Sequence, residues 1–223
     1  MAEKPTVLLW LPSYDGWYHA RLTIAVERML RDRRYDVTPE RAIVKPVEYS
    51  RNLAAEKAVN EEYDWLIMMD NDNPPLRNPL DLIELDKDIV GVPTPIFKQS
   101  LMNAGHNPLI WNVFVDKDND LGYEYVPYGD HGLMKVDGGV GTGCILIRTK
   151  ILKEMLDNNE TPFVYAYKEG EDLYFCRAAR QKGYEVWAHW DYACDHMKEV
   201  SLLALARAID MAFKAGARSA NKE

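Results

Sequence analysis

The sequence predicts an α/β domain: a mostly parallel central sheet flanked by helices, with a smaller antiparallel β portion and a C-terminal helix. Three observations carry this. Unbroken apolar runs such as Val7–Leu11, Leu66–Met69 and Cys144–Ile147 suit strands buried on both faces. Stretches with helical periodicity alternate with such runs through the first half of the chain. From residue 97 to residue 137 the alternation gives way to short segments rich in aromatic residues and Asn, as expected of an antiparallel excursion.

Element by element, Thr6–Leu11 is a buried strand that Pro12-Ser13-Tyr14-Asp15-Gly16 breaks. A helix is expected over Tyr18–Arg31, with Leu22, Ala25, Val26, Met29 and Leu30 on one stripe. Ala42–Lys45 is a second strand, and Ser50 has the chemistry of an N-cap for a helix over Arg51–Glu61. Trp65–Met69 forms the next strand, Leu80–Leu85 a short helix and Asp88–Pro93 another strand. Trp111–Val115 and Tyr123–Val126 are the best strands of the excursion. Cys144–Ile147 returns to the sheet, and helices are expected near Lys150–Leu156 and Asp172–Lys182, the second stopped by Gly183. Glu185–Ala188 is the last strand, and Val200–Ala215 a helix with Leu202, Leu205, Ala206, Ile209 and Phe213 on one face. No repeat or linker divides the chain, so residues 1–223 are read as one domain. Within it, residues 1–96 are read as one half, 97–197 as a second half and 198–223 as a helical tail.

Composition narrows the function. With 47% apolar and 28% charged residues the chain has enough apolar side chains for a full core. No apolar run is long enough to span a bilayer, and no apolar stretch follows a basic start, so neither an integral membrane segment nor a secretion signal is expected. Three cysteines (Cys144, Cys176 and Cys194) are too few for a disulfide framework, and a cytoplasmic setting is the simplest expectation. Zinc is not expected, because their spacing with His196 matches no paired zinc pattern. The net charge of −8 is concentrated: residues 61–140 carry 15 acidic and 5 basic side chains. That distribution offers no broad basic face to nucleic acid.

Chemistry gathers at the ends of the expected elements. Asp70-Asn71-Asp72 follows a buried strand, at the carboxyl edge where open α/β sheets bind ligands. Two carboxylates there suit Mg²⁺ or Mn²⁺ on a diphosphate, but Asp, Asn and Pro also make plain turns, so the segment alone supports either reading. Pro12-Ser13-Tyr14-Asp15 offers an aromatic face and a carboxylate to a base. Ser50-Arg51-Asn52 opens an expected helix, where free N–H groups and an arginine favour phosphate, although a surface arginine explains it equally. Gly138-Gly139-Val140-Gly141-Thr142-Gly143 permits close backbone approach to a ligand. It precedes a strand, so it is no dinucleotide fingerprint, and it lacks the Lys of a P-loop. Gly170-Glu171-Asp172 starts a helix, where acidic residues suit the dipole or a general base. His196 is a metal-ligand candidate or an ordinary loop histidine. No Gly-x-Ser-x-Gly elbow is present.

In this order the segments resemble the glycosyltransferases of the GT-A fold superfamily, whose members share a DxD motif, a glycine-rich loop, an acidic xED pair and a late histidine. The matching residues are Asp70-Asn71-Asp72, Gly138–Gly143, Gly170-Glu171-Asp172 and His196. Pro12–Asp15 and Ser50–Ala54 also look like the opening loop and the Ala-Arg-Asn helix start of family 2-like members, and the style is that of small virus-encoded transferases. The resemblance implies a nucleotide-sugar donor, most often UDP-linked, and Mn²⁺ or Mg²⁺ held by Asp72 and His196, with Asp70 directly or through water. It implies Pro12, Tyr14, Asp15, Arg51, Asp70 and Asn71 at the nucleotide, and Gly141, Thr142 and Gly143 at the donor sugar and acceptor. Asp172 would be the base of an inverting reaction, with Glu171 next in line. A hydroxyl acceptor is implied, either a saccharide or a hydroxymethylated DNA base. One departure is clear: Val44-Lys45-Pro46-Val47 lacks the aspartate that family 2-like enzymes carry after the second strand. The late histidine also suits retaining members. The alternatives are a nucleotidyltransferase, which would want a basic glycine-rich loop directly after the first strand, and a non-catalytic nucleotide-sugar or saccharide-binding module. The terminal helix is expected to pack on the domain or to pair two copies as a homodimer.

Overall fold

The computed structural model describes residues 3–104, 106–116, 122–166 and 169–199, together with positions 202–203, 205–207, 209–211 and 214. A seven-stranded sheet in the order β2-β1-β3-β11-β4-β12-β9 forms its centre. In chain order these are β1 (Thr6–Ser13), β2 (Asp36–Ile43), β3 (Trp65–Met69), β4 (Ile89–Gly91), β9 (Leu133–Val136), β11 (Cys144–Arg148) and β12 (Val186–His189). β1 pairs parallel with β2 and β3, and β4 with β12. β11 lies antiparallel between β3 and β4, and β9 closes the edge antiparallel to β12. Five of the seven strands therefore run in one direction, as the apolar runs predict, and β11 and β9 run against them.

Alternation explains why those runs are continuous. On β1, Val7, Leu9 and Leu11 pack with Leu22, Val26 and Met29 of helix α1 (Ala20–Leu30). Leu8 and Trp10 point the other way, to Ala54, Ala55 and Ala58 of α2 (Val47–Asn60). Both faces are covered, so no position on the strand wants a polar residue. Met68 and Met69 of β3 likewise go to opposite cores. Further along the chain, α4 (Thr149–Asp157) and α5 (Glu171–Gln181) add Ile151, Leu152, Met155, Phe175 and Ala179 to the α2 side. All three cysteines are free and buried.

The excursion forms two small antiparallel sheets, β5 (Pro95–Phe97) with β6 (Leu109–Trp111), and β10 (Gly139–Val140) with β7 (Val113–Asp116) and β8 (Tyr123–Tyr125). The single strand expected over Trp111–Val115 is thus two strands of different sheets, broken at Asn112. The Asn112 side chain accepts a hydrogen bond from the Thr94 N–H at 2.6 Å, which ties the break to the chain after β4. A five-residue helix, α3 (Gln99–Asn103), lies between β5 and β6. Two other expectations need correction. The second strand is Asp36–Ile43, not Ala42–Lys45. Helix α2 opens at Val47, one turn before the expected start, so Ser50 is not its cap. Ser50 is buried inside the helix and accepts from Trp10 Nε1 at 3.1 Å.

The described tail positions are helical, and Leu202 and Leu203 among them are exposed. Phe213, and the Lys117–Asp120 part of the acidic loop, lie outside the described residues. Among the described residues no helix is long and apolar enough to cross a membrane.

Candidate active site

An open cavity of about 410 Å³ lies at the carboxyl edge of the parallel strands. Arg51, Asp70, Asp72, Gly141, Thr142, Gly143, Glu171, Asp172 and His196 all line it. Five segments separated by up to 145 positions thus meet in one place. Pro12, Tyr14, Asp15 and Asn71 do not line it. Pro12 is buried in β1 opposite Ala42. Asp15 accepts the Trp17 N–H at 2.9 Å, which holds its carboxyl below the usual range. Asn71 donates to the Trp17 carbonyl at 2.8 Å and accepts the His19 N–H at 3.0 Å through its own carbonyl, pinning the loop after β1. Tyr14 is exposed, with the Lys45 ammonium 5.1 Å from its ring centre.

The cavity has two unlike walls. On one, Arg51 sits in the second turn of α2, only 4% exposed. Its guanidinium pairs with Glu171 and, at 3.1 Å, with Asp70. The argument from free N–H groups at a helix start therefore fails for Arg51. The residue is instead a buried hub that fastens α2 to α5 and to the end of β3. Glu171 is committed to this pair, which leaves Asp172 as the open carboxylate of the xED segment. Asp172 accepts the Leu173 N–H at 2.8 Å in the first turn of α5. Burial raises its carboxyl above the ordinary range, against the opposing pull of Arg51.

On the other wall the chain after the 3₁₀ turn Trp190–Tyr192 runs antiparallel along the turn after β3. The N–H groups of Leu76, Asp195 and Met197 donate to the carbonyls of Ala193, Pro74 and Asp72, respectively, at 2.9–3.2 Å. This ladder brings His196 to Asp72, with Nε2 3.7 Å from Oδ2. His196 Nδ1 lies 2.6 Å from the Pro95 carbonyl. A proton on Nδ1 satisfies that carbonyl and leaves the Nε2 lone pair facing Asp72, the arrangement a metal-binding imidazole needs. Lys198 pairs with the same Asp72 oxygen. Burial would raise the Asp72 carboxyl, but bonds from His196 and Lys198 outweigh it and hold it low. Burial would lower the His196 imidazole, and Asp72 and the Pro95 carbonyl raise it instead.

These residues fit a divalent cation in part. Asp72 and His196 present one oxygen and one nitrogen, while Asp70 is occupied by Arg51. No group of three His, Cys, Asp or Glu side chains gathers among the described residues. Mg²⁺ or Mn²⁺ held by two protein ligands would complete its shell with phosphate and water oxygens, as Mg²⁺ commonly does at phosphate sites. Charge points the same way. The lining carries two cationic side chains, Arg51 and Lys198, against four carboxylates, a balance of −2 that a bare diphosphate would only worsen.

The glycine run is not an open cradle of N–H groups. It is buried, and the Gly141 N–H is bonded to the Asn112 carbonyl at 2.7 Å. A Cβ on Gly141 would meet Asn112 Nδ2 at 2.6 Å, and one on Gly143 would meet Asn73 Nδ2 at 2.2 Å. These glycines make room for two asparagine side chains. Sequence reasoning did not single out Asn73, Thr94, Asn112, Tyr165 or Lys198, which also line the cavity. Only Asn112 left a cue, as a polar residue interrupting an apolar strand pattern.

No protein-family model matches the chain, and no curated protein matches its sequence. Among solved structures it resembles the protein designated A197 from STIV, with 18% identity over 86% of each chain and a TM-score of 0.57. A glycosyltransferase involved in glycosylation of the major capsid of PBCV-1 is 13% identical, over 93% of this chain and 99% of that one, with a TM-score of 0.45. UDP-glucose pyrophosphorylase complexed with UDP-glucose is 10% identical, over 96% and 100%, with a TM-score of 0.49. At these identities the likeness is one of fold alone: a mixed α/β arrangement with a central sheet flanked by helices.

Proposed function

We propose that the chain is a metal-dependent glycosyltransferase that moves a sugar from a nucleoside-diphosphate donor, most simply a UDP-sugar, to a hydroxyl acceptor. The observation that carries this reading is the convergence of Asp70, Asp72, Gly141–Gly143, Asp172 and His196 on one cavity. Asp72 and His196 would hold Mn²⁺ or Mg²⁺, which supplies charge neutralisation to the departing diphosphate. Tyr14 and Asp15, in the loop after β1, are assigned to the base.

In the reaction the acceptor oxygen bonds to the anomeric carbon as the bond from that carbon to the diphosphate breaks, with inversion. Asp172 takes the acceptor's proton, and its raised affinity for protons suits that task at neutral pH. Arg51 holds Glu171 and Asp70 in place and so positions the start of α5 against the end of β3. The acidic chain favours a saccharide acceptor over a DNA base.

The test is release of nucleoside diphosphate from a panel of nucleotide sugars, in wild type and in Asp172→Asn. Removing a general base is expected to cut turnover by about 10²–10⁴-fold while donor affinity holds. Wild-type turnover in the variant would refute the base assignment. Pyrophosphate exchange in place of sugar transfer would favour a nucleotidyltransferase.

A further inference from the structure

A second open cavity, of about 890 Å³, lies at the opposite end of the central strands. Its lining includes Thr6, the first residue of β1, Trp65, the first of β3, and Arg148, the last of the antiparallel β11. It therefore sits at the amino edge of the parallel strands, one strand length from the first cavity. Helix α4 starts in its wall, and the first turn of α4 lacks the usual polar partners. The N-cap residue Arg148 gives no side-chain bond, and the first turn holds no acidic residue. The Thr149 N–H reaches the Asp64 carbonyl at 3.0 Å, but those of Lys150 and Ile151 have no carbonyl one turn earlier in the helix. Such a helix end attracts anions. A second observation points to a ligand. Thr149, at the first helical position and on the cavity lining, is 6% exposed, and its Oγ1 has no hydrogen-bond partner among the described residues. An unpaired buried hydroxyl is a cost that a bound partner would remove.

Charge distinguishes the two cavities. The lining of the first has a balance of −2, whereas this one sets Lys4, Arg148, Lys150 and Lys153 against Glu3, Glu62 and Asp64, a balance of +1. On a chain of net charge −8 that is a local reversal. Of the three carboxylates, Asp64 is engaged, accepting the Thr6 N–H at 2.7 Å and the Thr6 hydroxyl at 3.0 Å, and Glu3 and Glu62 are exposed to solvent. Arg148 is fixed in the wall: it lies 4.3 Å over the Trp65 ring and bonds Asp86 at 2.6 Å. Lys150 and Lys153 make surface pairs with Asp88 at 2.8 Å and Asp157 at 2.9 Å, of the kind that exchange readily. Helix N–H groups, ammonium groups and the Thr149 hydroxyl can all donate, and a phosphate dianion offers acceptor oxygens on several sides to receive them. We propose that this amino-edge cavity is a second ligand site, which binds a phosphate group against Thr149, Lys150 and Lys153 at the start of α4. The group belongs to inorganic phosphate or to a small phosphate monoester. The site stands apart from the first cavity and exists whether or not that cavity transfers a sugar.

The experiment titrates the full chain, in EDTA and about 0.15 M salt, with inorganic phosphate, glucose 6-phosphate, AMP and acetate. Calorimetry reads affinity, and backbone amide NMR shifts locate the site. At least one phosphate compound is expected to bind with a Kd below about 1 mM, moving the amides of Thr149, Lys150 and Ile151 but not those of Gly141–Gly143. Tighter binding of an ester than of inorganic phosphate would assign the site to a phosphate monoester, and equal binding would assign it to the free ion. Thr149→Val, which keeps the shape and removes the hydroxyl, should weaken binding about tenfold, and Thr149→Ser should retain it. Lys150→Gln with Lys153→Gln, both on the surface, should weaken binding and reduce its dependence on salt. The proposal is overturned if no phosphate compound binds, if acetate binds as tightly, or if the shifts fall on the first cavity instead. Affinity unchanged in both Thr149→Val and the lysine double variant would overturn it as well.

Discussion

The two walls of the cavity contrast in how they hold charge. Arg51, Asp70 and Glu171 form a buried network, with the Arg51 and Glu171 side chains 5% and 7% exposed. Asp72, His196 and Lys198 form a network open on one side, with Lys198 53% exposed. Buried ion pairs are costly to break, because the partner left behind stays desolvated. Exposed ones contribute little to stability and exchange readily. The same cavity therefore has one wall that sets the fold and another whose exposed Lys198 pairing exchanges readily, the wall to which the proposed metal is assigned.

The strongest way to break this contrast is Arg51→Leu, which strands Glu171 and Asp70. It should destabilise the protein by about 3–5 kcal/mol, read by urea unfolding, and adding Glu171→Leu should restore much of the loss. A loss below about 1 kcal/mol would place the Arg51 network with ordinary surface pairs.

The next effect is on pH dependence. Burial raises Asp172 above the ordinary carboxylate range, so turnover should fall as pH drops through that raised value. Stability should move the other way. A carboxyl raised on folding adds stability at pH values below its unfolded value and loses that contribution as pH rises through its folded value. Asp172→Asn should therefore be at least as stable as wild type at pH 7, and its melting temperature should respond less to acid. A variant clearly less stable at pH 7 would contradict the burial argument.

His196 sharpens the open wall. Its imidazole is raised by Asp72 and the Pro95 carbonyl, so protons compete with a metal on Nε2. Mn²⁺ affinity should weaken as pH falls through that raised value, and His196→Gln should flatten the slope. A slope unchanged by the substitution would remove His196 from the metal site.

The smallest effect is expected for Lys198→Met. Unfolding should change by less than about 1 kcal/mol. Mn²⁺ should bind a few-fold more tightly, because the ammonium competing for Asp72 is gone. Weaker Mn²⁺ binding would mean that Lys198 supports the metal site.

The same contrast explains how much was legible in the sequence. Strands buried on both faces announce themselves as apolar runs, so β1, β3 and β11 were readable, and with them the placement of Asp70 and Asp72 at a strand's carboxyl end. The helix stripe on α1 was readable for the same reason. What failed were features set by distant contacts. Ser50 has the chemistry of a cap, yet Trp10 gives it a buried partner inside the helix. Arg51 looks like a surface or phosphate-binding arginine until Glu171, 120 positions away, is brought beside it. The antiparallel insertion of β11 depends on where the excursion returns to the sheet, and no local pattern records that. Asn73 and Lys198 look like ordinary turn and surface residues. Only the folded cavity reveals the amide as buried and the ammonium as a partner of Asp72.

The central claim is that the open wall binds a metal–diphosphate group, and thermal-shift titration with UDP, GDP, CDP and TDP, each with Mn²⁺ or EDTA, tests it most directly. The account predicts stabilisation by one of these nucleotides with Mn²⁺, lost in EDTA and lost in Asp72→Ala. An equal shift in EDTA or in Asp72→Ala, or no shift with any nucleotide, would contradict it.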